Sequence, residues 1–259
     1  MSIGTIFNKK LKGNKTMKKK FKDMIFVKGG KYKPYFTDNE KEIYDLEVCR
    51  YLTTQKMWLE VMDYNPSKFE GIYKPVDSVT WWEALEFCNK LSEKYNLEPV
   101  YDLSKKGTLL INQLDGEKIS LDIADFKKTE GFRLPTEVEW NWFARGGQVA
   151  IEKGTFDYRY SGSDNVDEVA WYDKISNAET QNVGIKKPNQ LELYDCSGNI
   201  SEWCFDMDKS TKKNNKTVYR IIKGGSWFSE ASWCSVLPRF CYNSIYSSKE
   251  IGFRIVRTV

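Results

Sequence analysis

Apolar side chains recur at helical spacing in three stretches of the chain, and each stretch begins near a threonine. The clearest covers residues 80 to about 95, where Thr80 and Glu83 have the spacing of a capping box. Its apolar residues fall on one helical face, which predicts a half-buried helix: Trp81, Ala84, Leu85, Cys88 and Leu91. Two further helices are predicted, over residues 54–62 and from Thr136, which precedes Glu139 in a second capping box, to the glycine pair at 146–147.

Short alternating or apolar runs predict strands between and after these helices. Residues 24–27 form an apolar run that Gly29 and Gly30 end. Residues 109–121 are predicted to form a hairpin, because two alternating runs flank Asp115 and Gly116, the pair that a tight type I′ turn prefers. The pattern as a whole predicts one α+β domain over residues 23–259, with short strands, two to three helices and much irregular structure.

Lysines crowd the first 22 residues and account for much of the net charge of +4. A block of like charges is typical of a solvated, flexible tail. Positive and negative residues are mixed elsewhere, so no nucleic-acid partner is expected. The lysines concerned are Lys9, Lys10, Lys12, Lys15, Lys18, Lys19 and Lys20.

Long apolar segments are missing from the sequence. No stretch approaches the roughly 20 apolar residues that cross a bilayer, so no membrane span is expected. The basic N-terminal stretch also lacks the apolar centre of a signal peptide. A cytoplasmic location is therefore the default, and a cell-surface location would follow if the chain is a trimmed mature form. We expect a monomer.

The sequence contains no histidine, which excludes Ser-His-Asp and Cys-His catalysis and histidine-ligated metal centres. Its six cysteines do not form CxxC pairs or a zinc-binding pattern. Without a secretory signal, reduced thiols are expected. The cysteines are Cys49, Cys88, Cys196, Cys204, Cys234 and Cys241.

A segment rich in aromatic residues, serine and cysteine lies between Gly224-Gly225-Ser226-Trp227 and Gly252-Phe253-Arg254. It could pack as core, since most Trp and Phe residues are at least partly buried. It lacks a clean period of two, however, and Tyr, Trp and Ser are typical of recognition surfaces. The candidate ligand-binding residues are Trp227, Phe228, Ser229, Ser232, Trp233, Phe240, Cys241, Tyr242, Ser244 and Tyr246.

Short motifs spread over residues 24–257 resemble, in their order, those of the formylglycine-generating enzyme, or sulfatase-modifying factor, family. The resemblance implies a C-type-lectin-like fold with family-specific loops. The motifs include Phe26-Val27-Lys28-Gly29-Gly30, Gly131-Phe132-Arg133-Leu134-Pro135-Thr136-Glu137, Ala144-Arg145-Gly146-Gly147, Leu193-Tyr194-Asp195, Gly198-Asn199, Glu202-Trp203, Gly224-Gly225-Ser226-Trp227 and Gly252-Phe253-Arg254.

The resemblance implies an oxidase as one function. The family's enzymes bind copper(I) through two cysteines after Gly-Gly-Ser and oxidise a substrate cysteine to formylglycine. Here the second position is Cys234, but the first is Ser229, whose hydroxyl is a poor copper(I) ligand. Cys241 is the remaining candidate partner for Cys234. Ser201 also replaces a tryptophan that lines the family's active site, and both departures argue against the oxidase reaction.

The resemblance also implies a structural calcium site formed by Asp195, Gly198, Ile200 and Glu202. Carboxylate and carbonyl oxygens are suitable ligands for Ca²⁺. The alternative is that the two acidic residues cap turns and pair with arginines.

A subset of the family comprises the variable proteins of diversity-generating retroelements, in which the segment before Gly-Phe-Arg is rewritten at chosen codons. The present segment contains the residue types that such codons produce. Our principal hypothesis is therefore a non-catalytic protein that binds a protein or other macromolecular ligand through this segment. The alternative is a copper-dependent oxidase that uses Cys234 to convert a substrate cysteine to formylglycine.

Overall fold

The computed structural model describes residues 21–104, 110–113, 118–120, 125–208 and 218–259. Most of the predicted tail over residues 1–22 lies outside these ranges. Its residue Phe21 is buried and packs edge-on against Tyr95 and Phe132, with ring centroids 5.4 and 5.6 Å away. The domain core therefore includes at least one residue that the sequence assigned to the tail.

Twelve short strands form four small sheets within the described ranges. In chain order they are β1 (Met24–Val27), β2 (Gly30–Tyr32), β3 (Lys41–Ile43), β4 (Leu46–Cys49), β5 (Tyr101–Asp102), β6 (Leu110–Asn112), β7 (Lys118–Ser120), β8 (Ser201–Met207), β9 (Tyr219–Lys223), β10 (Phe240–Asn243), β11 (Ile251–Gly252) and β12 (Val256–Thr258). The predicted strand at residues 24–27 is β1.

Two of these sheets position the C-terminal segment. In the first, β4 lies between β1 and β12 and is antiparallel to both, so the two ends of the domain meet. In the second, the order is β10-β9-β8-β11, with β11 parallel to β8. The chain between β9 and β11 leaves this sheet, returns as β10 and leaves again. The candidate ligand-binding residues all lie on that excursion.

Five α-helical segments are present in the described part of the chain: α1 (Gln55–Leu59), α2 (Trp81–Lys94), α3 (Glu137–Ala144), α4 (Gly147–Glu152) and α5 (Val166–Val169). The first three confirm the predicted helices, although α1 is shorter than predicted. Thr80 and Thr136 both form the predicted capping boxes. The short helices α4 and α5 were missed, because so few residues give no usable periodicity.

The predicted hairpin is present as β6 and β7, with Ile111 opposite Ile119. The turn residues Asp115 and Gly116 lie outside the described residues. A third strand, β5, extends this pair on its other side and was not predicted. The structure thus has the predicted α+β class, with few helices and many short strands.

Aromatic rings supply much of the core where long helices are scarce. Trp58 stacks on Phe87 with ring planes 1° apart, and Phe253 packs edge-on against Phe87. Trp81 and Trp203 are fully buried, and their indole N–H groups donate to the carbonyls of Cys204 and Val79. No helix in the described ranges is both long and apolar enough to cross a membrane.

Candidate ligand-binding cleft at the C-terminal sheet

Two glycines turn the chain out of β9 and begin the candidate site. Gly224 and Gly225 have φ of 89° and 71°, which is the left-handed region that glycine adopts at little cost. A Cβ at Gly225 would lie 2.8 Å from the Trp233 carbonyl oxygen and 2.9 Å from Cys234 Sγ. The Gly-Gly-Ser-Trp motif is therefore required by the way the following chain folds back against it.

We call the buried ends of the segment, residues 224–227 and 252–254, the frame. The segment that joins these two ends contributes most of the lining of a cleft of about 470 Å³. Its walls contain residues of β8, β9, β10 and β11 and of the two loops that connect β9 to β10 and β10 to β11. Its lining comprises Ser201, Ile222, Gly225, Ser226, Ser229, Trp233, Phe240, Tyr242, Tyr246, Ser248, Glu250 and Ile251.

Four partly exposed rings line this cleft, and we call them the aromatic face: Trp233, Phe240, Tyr242 and Tyr246. Their exposures run from 38% to 45%. Trp233 packs on Phe240 and Tyr242 stacks on Tyr246, each pair with ring centroids 4.9 Å apart. On β10 exposure alternates with a period of two, which directs Phe240 and Tyr242 to the same side.

The other predicted ligand-binding residues divide into exposed and inward-facing groups. Phe228 and Ser232 are exposed, whereas Ser229 and Cys241 are partly buried. Trp227 is only 2% exposed, packs against Phe69 and donates its indole N–H to the Lys249 carbonyl. Ser244 is also buried and accepts a hydrogen bond from Trp82 Nε1 at 3.3 Å. Trp227 and Ser244 therefore support the cleft from inside, which differs from the predicted surface positions.

The serine at the family's first cysteine position is held within the turn. Ser229 Oγ accepts a hydrogen bond from the Ser226 N–H at 2.9 Å and lies 3.2 Å from Ser226 Oγ. Cys234 is fully buried, and its thiol donates a weak hydrogen bond to the Ser226 carbonyl. Burial raises the pKa of Cys234 to about 12, which disfavours a thiolate.

Cys241 does not replace the missing partner. It packs beside the cluster that contains Cys204 and Ile221, whereas Cys234 belongs to a separate cluster with Tyr160 and Tyr172. All six cysteines are free. A copper(I) ion held by two thiolates therefore does not fit the residues present, since Ser229 stands at the first cysteine position and offers only a hydroxyl.

The predicted calcium positions have unequal capacity for a cation. Both carboxylate oxygens of Glu202 accept hydrogen bonds from Arg254, at 3.1 and 3.2 Å, and both side chains are fully buried. The Gly198 carbonyl accepts from the Ile200 N–H. Asp195 Oδ2 accepts from Gly184 N–H, but buried Oδ1 has no hydrogen-bond partner.

The charge of this region also depends on burial. Burial raises the pKa of Asp195 to about 6, against the opposing effects of the Gly184 N–H, Arg254 and the nearby Asn199 side chain. Glu202 forms an ion pair with Arg254, as the arginine-pairing alternative predicted. One buried oxygen of Asp195 therefore has no hydrogen-bond partner, whereas both oxygens of Glu202 are bonded to Arg254.

Sequence reasoning missed Lys223, which precedes the glycine pair. Its ammonium donates to the carbonyl oxygens of Val236, Leu237 and Pro238 at 3.2, 3.0 and 2.7 Å. These contacts fix the loop that leads into β10. Burial lowers the pKa of Lys223 to about 8. A lysine next to Gly-Gly could have been noticed, but its three carbonyl partners could not.

Relatives of known sequence match over different shares of the chain. A chaperone protein, LppX from Paenibacillus barcinonensis, is 34% identical over 256 residues, covering 91% of this chain and 89% of the relative. A formylglycine-generating enzyme from Thermomonospora curvata is 28% identical over 167 residues, covering 51% of this chain and 52% of the enzyme.

Solved structures match over nearly the whole domain. Treponema denticola variable protein 1 superposes with a TM-score of 0.72 at 28% identity, covering 91% of this chain and 95% of that one. The structure of CarF superposes with a TM-score of 0.71 at 27% identity, covering 92% and 98%. The model of the sulfatase-modifying factor enzyme 1-like domain matches residues 10–259. The chain belongs to this family, the formylglycine-generating-enzyme-like proteins of C-type-lectin-like fold.

Proposed function

We propose that this chain is a non-catalytic binding protein that recognises a polypeptide through the cleft lined by the aromatic face. The observation that carries the proposal is the aromatic face, four partly exposed rings that line one cleft. Tyrosine and tryptophan give large, rigid contact areas at low entropic cost, and they are common at binding hot spots. Ser201, Ser226 and Ser229 add small polar groups to the same walls.

The comparisons support this proposal in two ways. The similarity to Treponema denticola variable protein 1 extends over 91% of this chain. LppX is named a chaperone, and chaperones act on other polypeptides. We extend these similarities to the present chain as part of the proposal.

We further propose that the segment is diversified, as in retroelement variable proteins. Its varied residue types occur mostly at exposed or half-exposed positions, where substitution costs little stability. The coding DNA tests this directly. Codons at Phe228, Phe240 and Tyr242 should align with a nearby template repeat and differ from it at individual positions. Codons unrelated to any such repeat would contradict diversification without affecting the binding proposal.

A peptide-selection experiment tests the binding function. Peptides selected from a random library on the parent protein should lose binding to the double variant Trp233→Ala/Tyr242→Ala. The matched control is Phe26→Ala/Tyr73→Ala, because those rings are 55% and 56% exposed but do not line the cleft. Peptides that bind both double variants as well as the parent would contradict the proposal.

A copper titration separates binding from oxidase chemistry. The parent should bind copper(I) no more tightly than its Cys234→Ser variant, since Cys234 is a single buried thiol. Tight one-to-one binding that Cys234→Ser abolishes would favour the oxidase instead.

We also propose a structural calcium ion at Asp195, supported by one atom, the unpartnered Oδ1. A carboxylate oxygen is the hard ligand that Ca²⁺ prefers. Calcium should raise the melting temperature of the parent and of Asp63→Asn, an exposed control, but not that of Asp195→Asn. An unchanged melting temperature of the parent would contradict this part of the proposal.

A further inference from the structure

We propose that the cleft selects a basic side chain, the arginine or lysine of a partner polypeptide. This inference rests on the proposed binding function and specifies the chemistry of the group that enters the cleft. It starts from the charge of the walls: Glu250 is the one charged residue among the described residues that line the cleft. Glu250 is half-buried, and no described lysine or arginine forms an ion pair with it.

The rings around Glu250 are suited to the same ligand. Trp233, Phe240, Tyr242 and Tyr246 all line this one cavity, and each ring remains partly exposed. A cation near such a face is attracted by the ring quadrupole, more strongly when water is excluded. Aromatic rings combined with a carboxylate favour a cation over a neutral or anionic group of equal size.

The chain already makes this contact beside the cleft. The Lys249 ammonium lies 5.0 Å from the centroid of Trp227. By contrast, no described cation of the chain lies over a ring of the aromatic face. The four rings and Glu250 are therefore open to a cation supplied by a ligand, whereas Lys249 is engaged with Trp227.

The size of the cleft favours a side chain over a whole folded surface. A volume of about 470 Å³ admits one long side chain with a few neighbouring residues. Arginine fits these walls in two ways, because its planar guanidinium stacks on rings and donates two hydrogen bonds to a carboxylate. We therefore expect arginine to bind more tightly than lysine.

The test uses blocked amino acids that differ in charge but not in shape. Nα-acetyl-arginine amide is compared with Nα-acetyl-citrulline amide, and Nα-acetyl-lysine amide with Nα-acetyl-2-aminoheptanoic acid amide, which replaces the ammonium with a methyl group. Binding to the full chain is followed by ¹⁹F NMR of 5-fluorotryptophan-labelled protein, with the Trp233 signal assigned from Trp233→Phe. The arginine and lysine derivatives should shift that signal saturably, and the two neutral derivatives should bind at least about tenfold more weakly.

Two variants that each remove one carboxylate test whether Glu250 is the group that binds the cation of the ligand. Glu250→Gln should weaken arginine binding by about tenfold and leave citrulline binding unchanged. Glu230→Gln is the matched control, because Glu230 belongs to the same segment and its loss changes net charge equally, but it does not line the cleft. Equal weakening by both variants would show a general charge effect and overturn the proposal.

Other outcomes also overturn the inference and leave the binding proposal standing. If the citrulline derivative binds as tightly as the arginine derivative, the cleft selects its ligand by shape and not by charge. Choline binding more tightly than either basic amino acid would indicate a small quaternary ammonium instead of a polypeptide. Selected peptides that need the aromatic face but contain no basic residue would likewise support the binding function alone.

Discussion

The frame and the aromatic face lie within 30 residues of each other and use the same residue types in opposite ways. Trp227 in the frame is 2% exposed, with its ring against Phe69 and its N–H bonded to a carbonyl. Trp233 in the face is 45% exposed and packs against the partly exposed Phe240. One tryptophan therefore contributes to the core, and the other contributes to a cleft.

The polar groups show the same division. In the frame, the guanidinium of Arg254 bonds to Glu202 and to the carbonyls of Cys49, Arg50 and Tyr194. In the cleft, Glu250 lines the same walls as the four rings and has no ion-pair partner in the described part of the chain. A satisfied buried network stabilises one arrangement, whereas rings with an uncompensated charge are available to a ligand.

Truncating each tryptophan gives the largest expected difference. Trp227→Ala should lower the free energy of unfolding by about 3–5 kcal/mol, because it removes a fully packed ring from the core. Trp233→Ala should change it by at most about 1 kcal/mol, since nearly half of that ring is exposed. Urea unfolding of the parent and both variants measures the two values.

This pair of variants also tests the division itself. Equal destabilisation by the two variants would show that the aromatic face is part of the core. Trp233→Ala should in addition lose peptide binding, whereas folded Trp227→Ala at low temperature should retain part of it.

Local sequence signals were enough to predict the elements that hold the cleft in place. Thr80 with Glu83 and Thr136 with Glu139 fix the starts of α2 and α3, because a capping box depends on residues three apart. The exposed face was predicted as a region, from crowded aromatics without a period of two. Neither inference needed contacts between distant parts of the chain.

The orientation of individual side chains could not be predicted in this way. Trp227 turns inward because its partners, Phe69 and the Lys249 carbonyl, are brought together only by the fold. Ser244 is covered by Trp82, which lies 162 positions earlier in the chain. The partners of Lys223 were also unpredictable, because its three carbonyl acceptors follow a turn whose path the sequence does not specify.

The glycine turn at the start of the frame gives the next smaller effect. Gly225→Ala should lower the free energy of unfolding by about 2–3 kcal/mol, the cost of a left-handed alanine together with a steric clash. Gly154→Ala is the control, because Gly154 has φ of 67° and no atom within 4 Å of an added Cβ. It should cost about 1 kcal/mol, the backbone contribution alone.

The difference between these two glycine variants measures the contact of the turn with Trp233 and Cys234. Thermal or urea unfolding gives both values under one condition. Equal losses of unfolding free energy in the two variants would show that the loop with Trp233 and Cys234 can move away from the glycine turn at no measurable cost. The packing of this loop against the frame would then contribute little to stability.

Lys223 gives the smallest effect, and it depends on pH. Burial lowers its pKa to about 8 in the folded state, whereas an unfolded lysine titrates near 10.4. Between these values the unfolded chain binds more protons, so the contribution of Lys223 to stability rises with pH. Relative to Lys223→Met, the parent should gain about 1–2 kcal/mol between pH 7.5 and 9.5.

The quantity to measure is the difference in unfolding free energy between the parent and Lys223→Met. Burial raises the pKa of thiols such as Cys204 well above its usual range, so these thiols lower stability as the pH rises. They do so equally in both proteins, and the difference removes their contribution. Urea unfolding at half-unit steps of pH gives the two curves. Parallel curves would show that the ammonium stays as well solvated as in the unfolded chain. The carbonyl contacts would then hold the loop before β10 without a cost for desolvating the ammonium. Lys223, next to the frame, would in that case be as accessible to water as the residues of the aromatic face.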